Sequence, residues 1–272
     1  MFMFFKFFNK RRTNMTNLSL LTANLDFRGS GGPYKDRTST KIADYLLSQN
    51  PTFIALQEAG GTQPSTKPRY LNVDEYQKFL LAEKLAKELE TELRKRGYGV
   101  IYPKSDKSNA VSTRLFYFSD NIELIKELPP IYDVLPCRQS GGLFKINNKT
   151  IAVFSLHFPL LENCPVEKIE MWDKYIHFAS EANDTYDHVI LAGDFNESMS
   201  GNFNGISILD TSSAFKLKEM REHMIDASED LPTWTDKKLD HIFVTPNTKI
   251  KDYSTIDNNF SDHKALQLTF NV

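Results

Sequence analysis

The sequence has few cysteines, little net charge and no long apolar run. Cys137 and Cys164 are the only cysteines among 272 residues, too few for a disulfide framework, and we therefore expect an intracellular protein, cytoplasmic or nuclear. The formal net charge of −2 excludes the global basic field that is typical of nucleic-acid-binding proteins, although a local basic face is compatible with it. No segment reaches the roughly 20 consecutive apolar residues that a membrane-spanning helix needs.

The N-terminal stretch MFMFFKFFNKRR departs from this ordinary composition. It lacks the basic n-region and the small-residue cleavage site of a secretory signal. Two interpretations are open for residues 1–17. They form a disordered tail, with Met15 as a candidate natural start, or the phenylalanines and the basic residues 10–12 give a weak attachment to a membrane surface.

Residues 18–272 are expected to form one domain, because the chain is 40% hydrophobic and 25% charged, as globular domains are. Short apolar strands are predicted at 18–25, 52–58, 98–103, 112–118, 121–128, 141–147, 149–158, 187–193, 239–245 and 264–270. Amphipathic helices are predicted at 37–50, 75–96, 166–182 and 212–227. Many strands are apolar on both faces, which favours an α/β fold of two face-to-face mixed sheets with helices outside.

Polar side chains recur where these apolar strands end or begin. The stretches that carry them are LTANLDF, IALQEAGG, VFSLHFP, LAGDFNE, LDHIFVT and NFSDHKAL, with Asn24, Asp26, Gln57, Glu58, His157, Asp194, Asn196, Asp240, Asp262 and His263. Each of these alone is equally compatible with a turn or a solvated strand end. Carboxylates and imidazoles are costly to bury unless they are paired or bind a metal, so their recurrence predicts a shared cleft.

The residue types in this set indicate metal-assisted hydrolysis of a phosphate ester. Glu58 and Asn24 offer the oxygen ligands that Mg²⁺ prefers, and Mn²⁺ is an alternative. Asp194 can accept a proton from water, while the Asn196 amide can hold a phosphoryl oxygen. A histidine that is held by an aspartate is favoured as a cation and suits the stabilisation of phosphate charge.

The ordered set LQE, His157, GDFN, LDHI and SDH resembles the endonuclease/exonuclease/phosphatase superfamily over residues 18–271, including its deoxyribonuclease, tyrosyl-DNA phosphodiesterase and neutral sphingomyelinase branches. The resemblance implies a four-layer α/β sandwich, deoxyribonuclease-like, and a divalent-metal phosphohydrolase. It implies that Glu58 is the main Mg²⁺ ligand, with Asn24 nearby and Asp262 close to the metal. Asp194 would orient or deprotonate the attacking water and Asn196 would bind phosphate.

The same resemblance makes His263 the catalytic histidine, with Asp240 as its orienting partner, and gives His157 the position of the strand histidine. Arg138 matches a phosphate-facing arginine more loosely. The remaining histidines and Trp234 are interpreted as structural or as packing beside the site.

Three functions are compatible with this set. The leading one is a monomeric phosphodiesterase that acts on nucleic acid. The phosphate backbone of the nucleic acid would be held by a basic rim of Lys67, Arg69, Lys104, Lys107 and Arg114. The second is a phospholipid or inositol-phosphate hydrolase, which the Phe-rich N-terminus favours. The third is a non-catalytic binding protein, which the presence of Glu58, Asp194 and His263 disfavours. The loops that choose the substrate are not interpretable from the sequence.

Overall fold

The computed structural model describes residues 17–27, 37–60, 73–104, 111–120, 122–198, 202–203, 206–207, 212–228 and 231–272. Two six-stranded mixed sheets dominate these residues. The first has the order β13 (Lys249–Ile256), β14 (Ala265–Asn271), β1 (Leu18–Asn24), β2 (Phe53–Gln57), β4 (Arg114–Phe118), β3 (Tyr98–Ile101). The second has the order β11 (Ile225–Asp226), β12 (Asp240–Val244), β8 (His188–Asp194), β7 (Lys149–His157), β6 (Gln139–Ile146), β5 (Glu123–Leu128).

The remaining described elements lie outside the two sheets. A separate two-stranded ribbon consists of β9 (Asn202–Phe203) and β10 (Ile206–Ser207). The helices of the described residues are α1 (Ser39–Ser48), α2 (Val73–Lys95), α3 (Pro165–Thr185) and α4 (Ser212–His223), together with a short 3-10 turn at Pro136–Arg138. Within the described ranges, no helix is both long and apolar enough to cross a bilayer.

Alternating side chains explain the four layers. In β1, Leu20 packs between the sheets with Phe53 and Ile190, while the next residue, Leu21, packs with Ile42 of α1 on the outer face. The outer face of the second sheet is covered in the same way by α3 and α4. The order is therefore α1 and α2, first sheet, second sheet, α3 and α4, and the prediction of strands that are buried on both faces is confirmed.

The two sheets repeat one arrangement at their centres. β1 and β2 are parallel and are connected through α1, and β7 and β8 are parallel and are connected through α3. Parallel strands joined by a helix end at the same edge of their sheet. The predicted polar residues at the ends of β1, β2, β7 and β8 therefore lie at two facing edges.

The predicted strands and helices are all present, with ends that differ by a few residues. Asn147 and Asn148 both have positive φ, 49° and 66°, as a two-residue type I′ hairpin turn requires. The sequence prediction missed β13, which lies at the edge of the first sheet. Its residues are exposed or half-buried, so the strand has no apolar alternation to reveal it. The predicted N-terminal tail, residues 1–17, lies outside the described residues except for Asn17.

Candidate active site

The register of the second sheet places three of the predicted residues side by side. His157 ends β7 and pairs with Asp194 at the end of β8, and Asp194 pairs with Asp240 at the start of β12. Paired residues on neighbouring strands point to the same face. His157 Nε2 accordingly lies 3.8 Å from Asp194 Oδ2, and both side chains are buried.

The first sheet contributes Asn24, which links the two sheets. Asn24 Nδ2 donates to Asp194 Oδ2 at 3.0 Å and to Glu58 Oε1 at 3.5 Å. Its Oδ1 accepts from the backbone N–H of Asp26 at 2.9 Å, which fixes the orientation of the amide. Asn24 is therefore held with its donor side toward the two carboxylates.

Glu58 reaches the same place through an unusual backbone conformation. Gln57, the last residue of β2, points between the sheets, where its Nε2 donates to Ser155 Oγ at 3.1 Å. An extended Glu58 would point to the opposite face, but its φ is 49°, in the left-handed region that Glu rarely adopts. The turn brings Glu58 Oε1 to 3.9 Å from His157 Nε2. Strained residues of this kind cluster at functional sites.

His263 enters from the loop that precedes β14. Its Nδ1 donates to Asp240 Oδ2 at 2.8 Å, and its backbone N–H donates to Ser261 Oγ at 3.1 Å. Burial alone would lower the pKa of His263, but the charges of Asp240 and Asp194 and the hydrogen bond to Asp240 raise that pKa to about 10. The side chain is therefore an imidazolium at neutral pH.

Both oxygens of Asp194 are held by amide donors. Its Oδ1 accepts from the backbone N–H of Asn196 at 2.8 Å, and its Oδ2 accepts from Asn24. Asn196 has a φ of 49°, which Asn tolerates well, and its Nδ2 donates to the Phe158 carbonyl at 2.9 Å. Burial raises the pKa of Asp194 to about 6 even though His263 lowers it.

The pKa values of Glu58 and His157 are shifted in directions that suit a cation site. Burial, together with the charges of Asp26 and Asp194, raises the pKa of Glu58 to about 7. Burial and the Arg138 charge hold the pKa of His157 well below its usual range, so this ring is neutral. The Val111 carbonyl lies 3.1 Å from His157 Nδ1 and can only accept, which leaves the lone pair on Nε2 facing both carboxylates.

A set of acceptors facing one another is what a divalent cation would satisfy. Glu58 and Asp194 provide carboxylate oxygens, which fit Mg²⁺ or Mn²⁺. The predicted metal ligand Asn24 is corrected, because its Oδ1 accepts from the Asp26 N–H and its Nδ2 faces the two carboxylates. A second group, Asp194, Asp240 and His263, has ligand-type atoms within 4.8 Å of one another. That group fits a cation less well, because an imidazolium has no lone pair to offer and its proton already neutralises the carboxylates.

Arg138 lies in the cleft, as predicted, and Arg114 does not. Arg138 Nη1 donates to the His157 carbonyl at 3.3 Å. Leu115 of β4 faces the other sheet, so Arg114 faces the helix layer, where its guanidinium lies 5.0 Å from the centre of the Tyr102 ring. The prediction that Arg114 contributes to substrate binding is therefore corrected by the alternation of β4.

Asp262 is the second predicted residue that the structure does not bring into the cleft. Its side chain is exposed, and its Oδ2 accepts from Trp234 Nε1 at 2.8 Å. Its neighbour His263 points inward, and the chain bends at Asp262, whose side chain points outward. The predicted place of Asp262 beside the metal is corrected, since its carboxylate instead holds the Trp234 ring, whose centre lies 6.5 Å from that of His263.

The cleft between the facing ends of the two sheets has a volume of about 850 Å³. Its walls include both polar and apolar side chains, among them Asn24, Glu58, Val111, Arg138, His157, Pro159, Leu160, Leu161, Lys168, Asp194, Asn196, Glu197, Trp234, Leu239 and His263. Of the predicted basic rim, Lys67, Arg69 and Lys107 lie outside the described residues, and Lys104 is exposed.

Sequence reasoning missed Lys168 and Glu197, which lie beneath Asn196. Both are buried, and Lys168 Nζ lies 3.3 Å from Glu197 Oε2. One signal was available, because Lys168 precedes Met171 and Trp172 at helical spacing and so falls on the apolar face of α3.

The sequence profile of the Endonuclease/Exonuclease/phosphatase family matches residues 21–263. The chain belongs to this family. Its members are hydrolytic phosphoesterases and typically depend on a divalent metal, so the resemblance drawn from the sequence motifs is confirmed. Among curated protein sequences, none matches.

The fold of this protein is similar to that of three solved structures, each of which matches 94% of this chain. A D. rerio TDP2 complexed with single strand DNA product has 15% identity and a TM-score of 0.64, over 99% of that chain. The Bacteroides thetaiotaomicron mannosyl-6-phosphatase Bt3783 has 16% identity and a TM-score of 0.62, over 100% of that chain. The endonuclease domain of TRAS1, a telomere-specific non-LTR retrotransposon, has 15% identity and a TM-score of 0.59, over 98% of that chain.

Proposed function

We propose that this protein is a phosphodiesterase that hydrolyses nucleic acid with Mg²⁺ or Mn²⁺. One observation carries the proposal: the Asp194 carboxylate lies where Asn24 of one sheet and His157 of the other meet, beside the Asp240–His263 pair. A buried carboxylate held by donors on both oxygens and placed next to an imidazolium suits proton transfer in a water-excluded site.

The residues of the cleft divide the reaction between them. Asp194 accepts the proton of the attacking water as the new P–O bond forms. The His263 imidazolium donates a hydrogen bond to a phosphoryl oxygen and stabilises the charge that develops there, and Asp240 holds the ring in place. Arg138 adds a second positive charge on the wall of the cleft. The P–O bond to the leaving group breaks, and its oxygen takes a proton from solvent.

Glu58 and Asp194, which Asn24 Nδ2 holds together, would bind the cation. When bound, the cation supplies Lewis-acid polarisation of the phosphoryl group. Its presence would also favour the charged form of Glu58, whose pKa is raised without it.

Nucleic acid is the proposed substrate because structural relatives act on it. The TDP2 structure holds a single-stranded DNA product, and the TRAS1 domain is an endonuclease. The cleft also has the mixed polar and apolar walls that a nucleotide, with its phosphate and its ring, would contact.

The test is hydrolysis by the purified protein of single-stranded DNA, duplex DNA, RNA and 5′-adduct DNA. Each substrate is incubated with Mg²⁺, with Mn²⁺ and with EDTA. We expect cleavage of at least one nucleic acid with a cation and none with EDTA, and loss of cleavage in Asp194→Ala. Hydrolysis of sugar monophosphates alone would reject the nucleic-acid assignment.

A lipid phosphodiesterase is the second candidate. Leu160 is 43% exposed and lies on the wall of the cleft beside Pro159 and Leu161, an arrangement that suits contact with acyl chains. Hydrolysis of sphingomyelin in liposomes, without hydrolysis of any nucleic acid, would favour this candidate over the first.

A further inference from the structure

Lys168 is a cation in the core, where a cation is costly. It lies in the first turns of α3, its residue is 0% exposed, and it packs on the same helix face as Met171 and Trp172. An ammonium group that is removed from water destabilises the fold unless several acceptors surround it. The role of Lys168 can therefore be inferred from the groups that its ammonium contacts.

Those contacts all belong to the segment that follows Asp194. Lys168 Nζ donates to the Asn196 carbonyl and lies 3.3 Å from Glu197 Oε2. Glu197 in turn accepts a hydrogen bond from Ser213 Oγ of α4. One ammonium group thus connects α3, α4 and the loop that carries a catalytic residue.

The next carbonyl along the chain is held from another side. His241 Nε2 donates to the Glu197 carbonyl at 3.0 Å, while its Nδ1 lies 2.9 Å from Asp226 Oδ2. The consecutive carbonyls of Asn196 and Glu197 are therefore both fixed by buried side chains. Asn tolerates the left-handed φ of Asn196, and the two contacts hold the chain in that conformation here.

We propose that Lys168 is a positioning residue, which fixes the Asn196–Glu197 peptide plane and, through the backbone torsions of Asn196, the orientation of Asp194. The Asn196 N–H, in the preceding peptide plane, completes the link because it donates to Asp194 Oδ1. Lys168 borders the cleft, but its side chain is 1% exposed and its ammonium is held by Asn196 and Glu197, so it does not contact substrate in this proposal. The proposal rests on the proposed phosphodiester hydrolysis for its kinetic test only.

The kinetic test compares three variants on bis(4-nitrophenyl) phosphate with Mn²⁺. Lys168→Met is expected to lower kcat by about 10- to 100-fold with little change in KM, as the loss of a group that orients a catalytic ligand does. Lys168→Met/Glu197→Gln removes the unpaired buried carboxylate and should recover much of the thermal stability, but not kcat. Lys174→Met, an exposed lysine of the same helix, is the matched control and should behave as the unmodified protein.

The double variant separates positioning from mere stabilisation. If it recovers both stability and kcat, or if Lys168→Met changes KM and not kcat, the proposal is overturned.

Hydrogen exchange read by mass spectrometry decides the same question without activity. Lys168→Met should accelerate exchange of the backbone amides of residues 195–197, while Lys174→Met should not. Unchanged exchange in that segment overturns the proposal. A protein that hydrolyses nothing refutes the proposed function, and the exchange result still decides the role of Lys168.

Discussion

Asp194 and Asp240 stand directly opposite each other on the adjacent antiparallel strands β8 and β12. Two buried carboxylates in register repel each other unless a cation intervenes. Here His263 donates to Asp240 Oδ2, and its charge lowers the pKa of Asp194. The pairing of the two strands thus places two negative charges side by side, and the His263 imidazolium offsets their repulsion.

Asp240→Asn tests that relationship. The amide can still accept from His263 but carries no charge, so the His263 pKa should fall from about 10 toward its ordinary value. We expect kcat at pH 8 to drop on the order of 100-fold, with the alkaline limb of the pH–rate profile moving toward neutrality. Asp262→Asn is the comparison, because Asp262 is exposed, hydrogen-bonds Trp234 and raises the His263 pKa less than Asp240 does, so a smaller loss is expected; a comparable loss there would restore Asp262 to the site.

The unmodified enzyme should have a bell-shaped dependence of kcat/KM on pH. Asp194 must be charged to accept a proton, so activity rises as pH increases through its pKa of about 6. His263 must be protonated, so activity falls as pH increases through about 10. A higher cation concentration should move the acidic limb to lower pH, because a cation competes with protons at Glu58 and Asp194. An acidic limb that ignores cation concentration would place the cation elsewhere.

The two arginines that the sequence suggested should behave differently. Arg138→Ala removes a positive charge from the cleft and should raise KM about tenfold, roughly 1.4 kcal/mol of binding. Arg114→Ala should leave kcat and KM near those of the unmodified protein and lower the melting temperature, because Arg114 packs on Tyr102 away from the cleft. Steady-state kinetics and thermal denaturation of the two variants check this, and a raised KM in Arg114→Ala would contradict the structure.

Asp226 should be a major determinant of stability. Its buried carboxylate accepts from Arg221 at 2.7 Å, from Lys238 at 2.9 Å and from His241 at 2.9 Å. Asp226→Asn removes the negative charge that these three donors share, among them the buried Lys238, and should cost about 3–5 kcal/mol in the free energy of unfolding. Denaturant titration measures this cost, with the exposed Asp257→Asn as control.

The same residue predicts a pH dependence of stability. Burial would raise the pKa of Asp226, but His241 and Lys238 hold it far below its ordinary value. The contribution of Asp226 is therefore fully present above about pH 4, the unfolded value, and is lost as pH falls toward the folded one. The difference between the unmodified protein and Asp226→Asn should shrink below pH 4, and a difference that grows there would contradict the assignment.

Gly193 should be almost irreplaceable. Its φ is 149°, and a Cβ atom there would lie 1.9 Å from the Leu156 carbonyl oxygen of β7. Gly193→Ala must separate the two central strands next to Asp194 and should cost on the order of 3 kcal/mol. Gly97 also has a positive φ, 89°, but an added Cβ there first meets the Phe118 ring at 3.2 Å and not a backbone atom, so Gly97→Ala should cost less. Circular dichroism melting curves of both variants compare the costs.

The sequence was informative wherever chemistry interrupts an apolar strand. Asp194 and His157 end strands whose buried runs are unmistakable, and their polar ends have no structural reason in the core. It failed where neighbouring residues point in opposite directions. Asp262 beside His263, and Arg114 beside Leu115, can be separated only by knowing which face of the chain lies toward the cleft.

Residues that act from behind the site were also hidden. Helical spacing puts Lys168 on the apolar face of α3 but does not show which acceptors hold its ammonium group, and Glu197 resembles a solvated loop acid. Their roles come from tertiary contacts that join α3, α4 and the loop after β8, which no local pattern encodes. Edge strand β13 was missed for a related reason, because an exposed strand lacks the apolar period that reveals a buried one.

The position of β14 links completion of the first sheet to assembly of the candidate active site. This strand, the last of the described strands, lies between β13 and β1, and His263 lies two residues before it begins. β1, the first of the described strands, thus pairs with a strand from the far end of the chain, which is a contact between residues distant in sequence. Because the same segment supplies the central strand β14 and the imidazolium that bonds Asp240, we expect the Asp240–His263 pair to form only in a chain whose first sheet is complete.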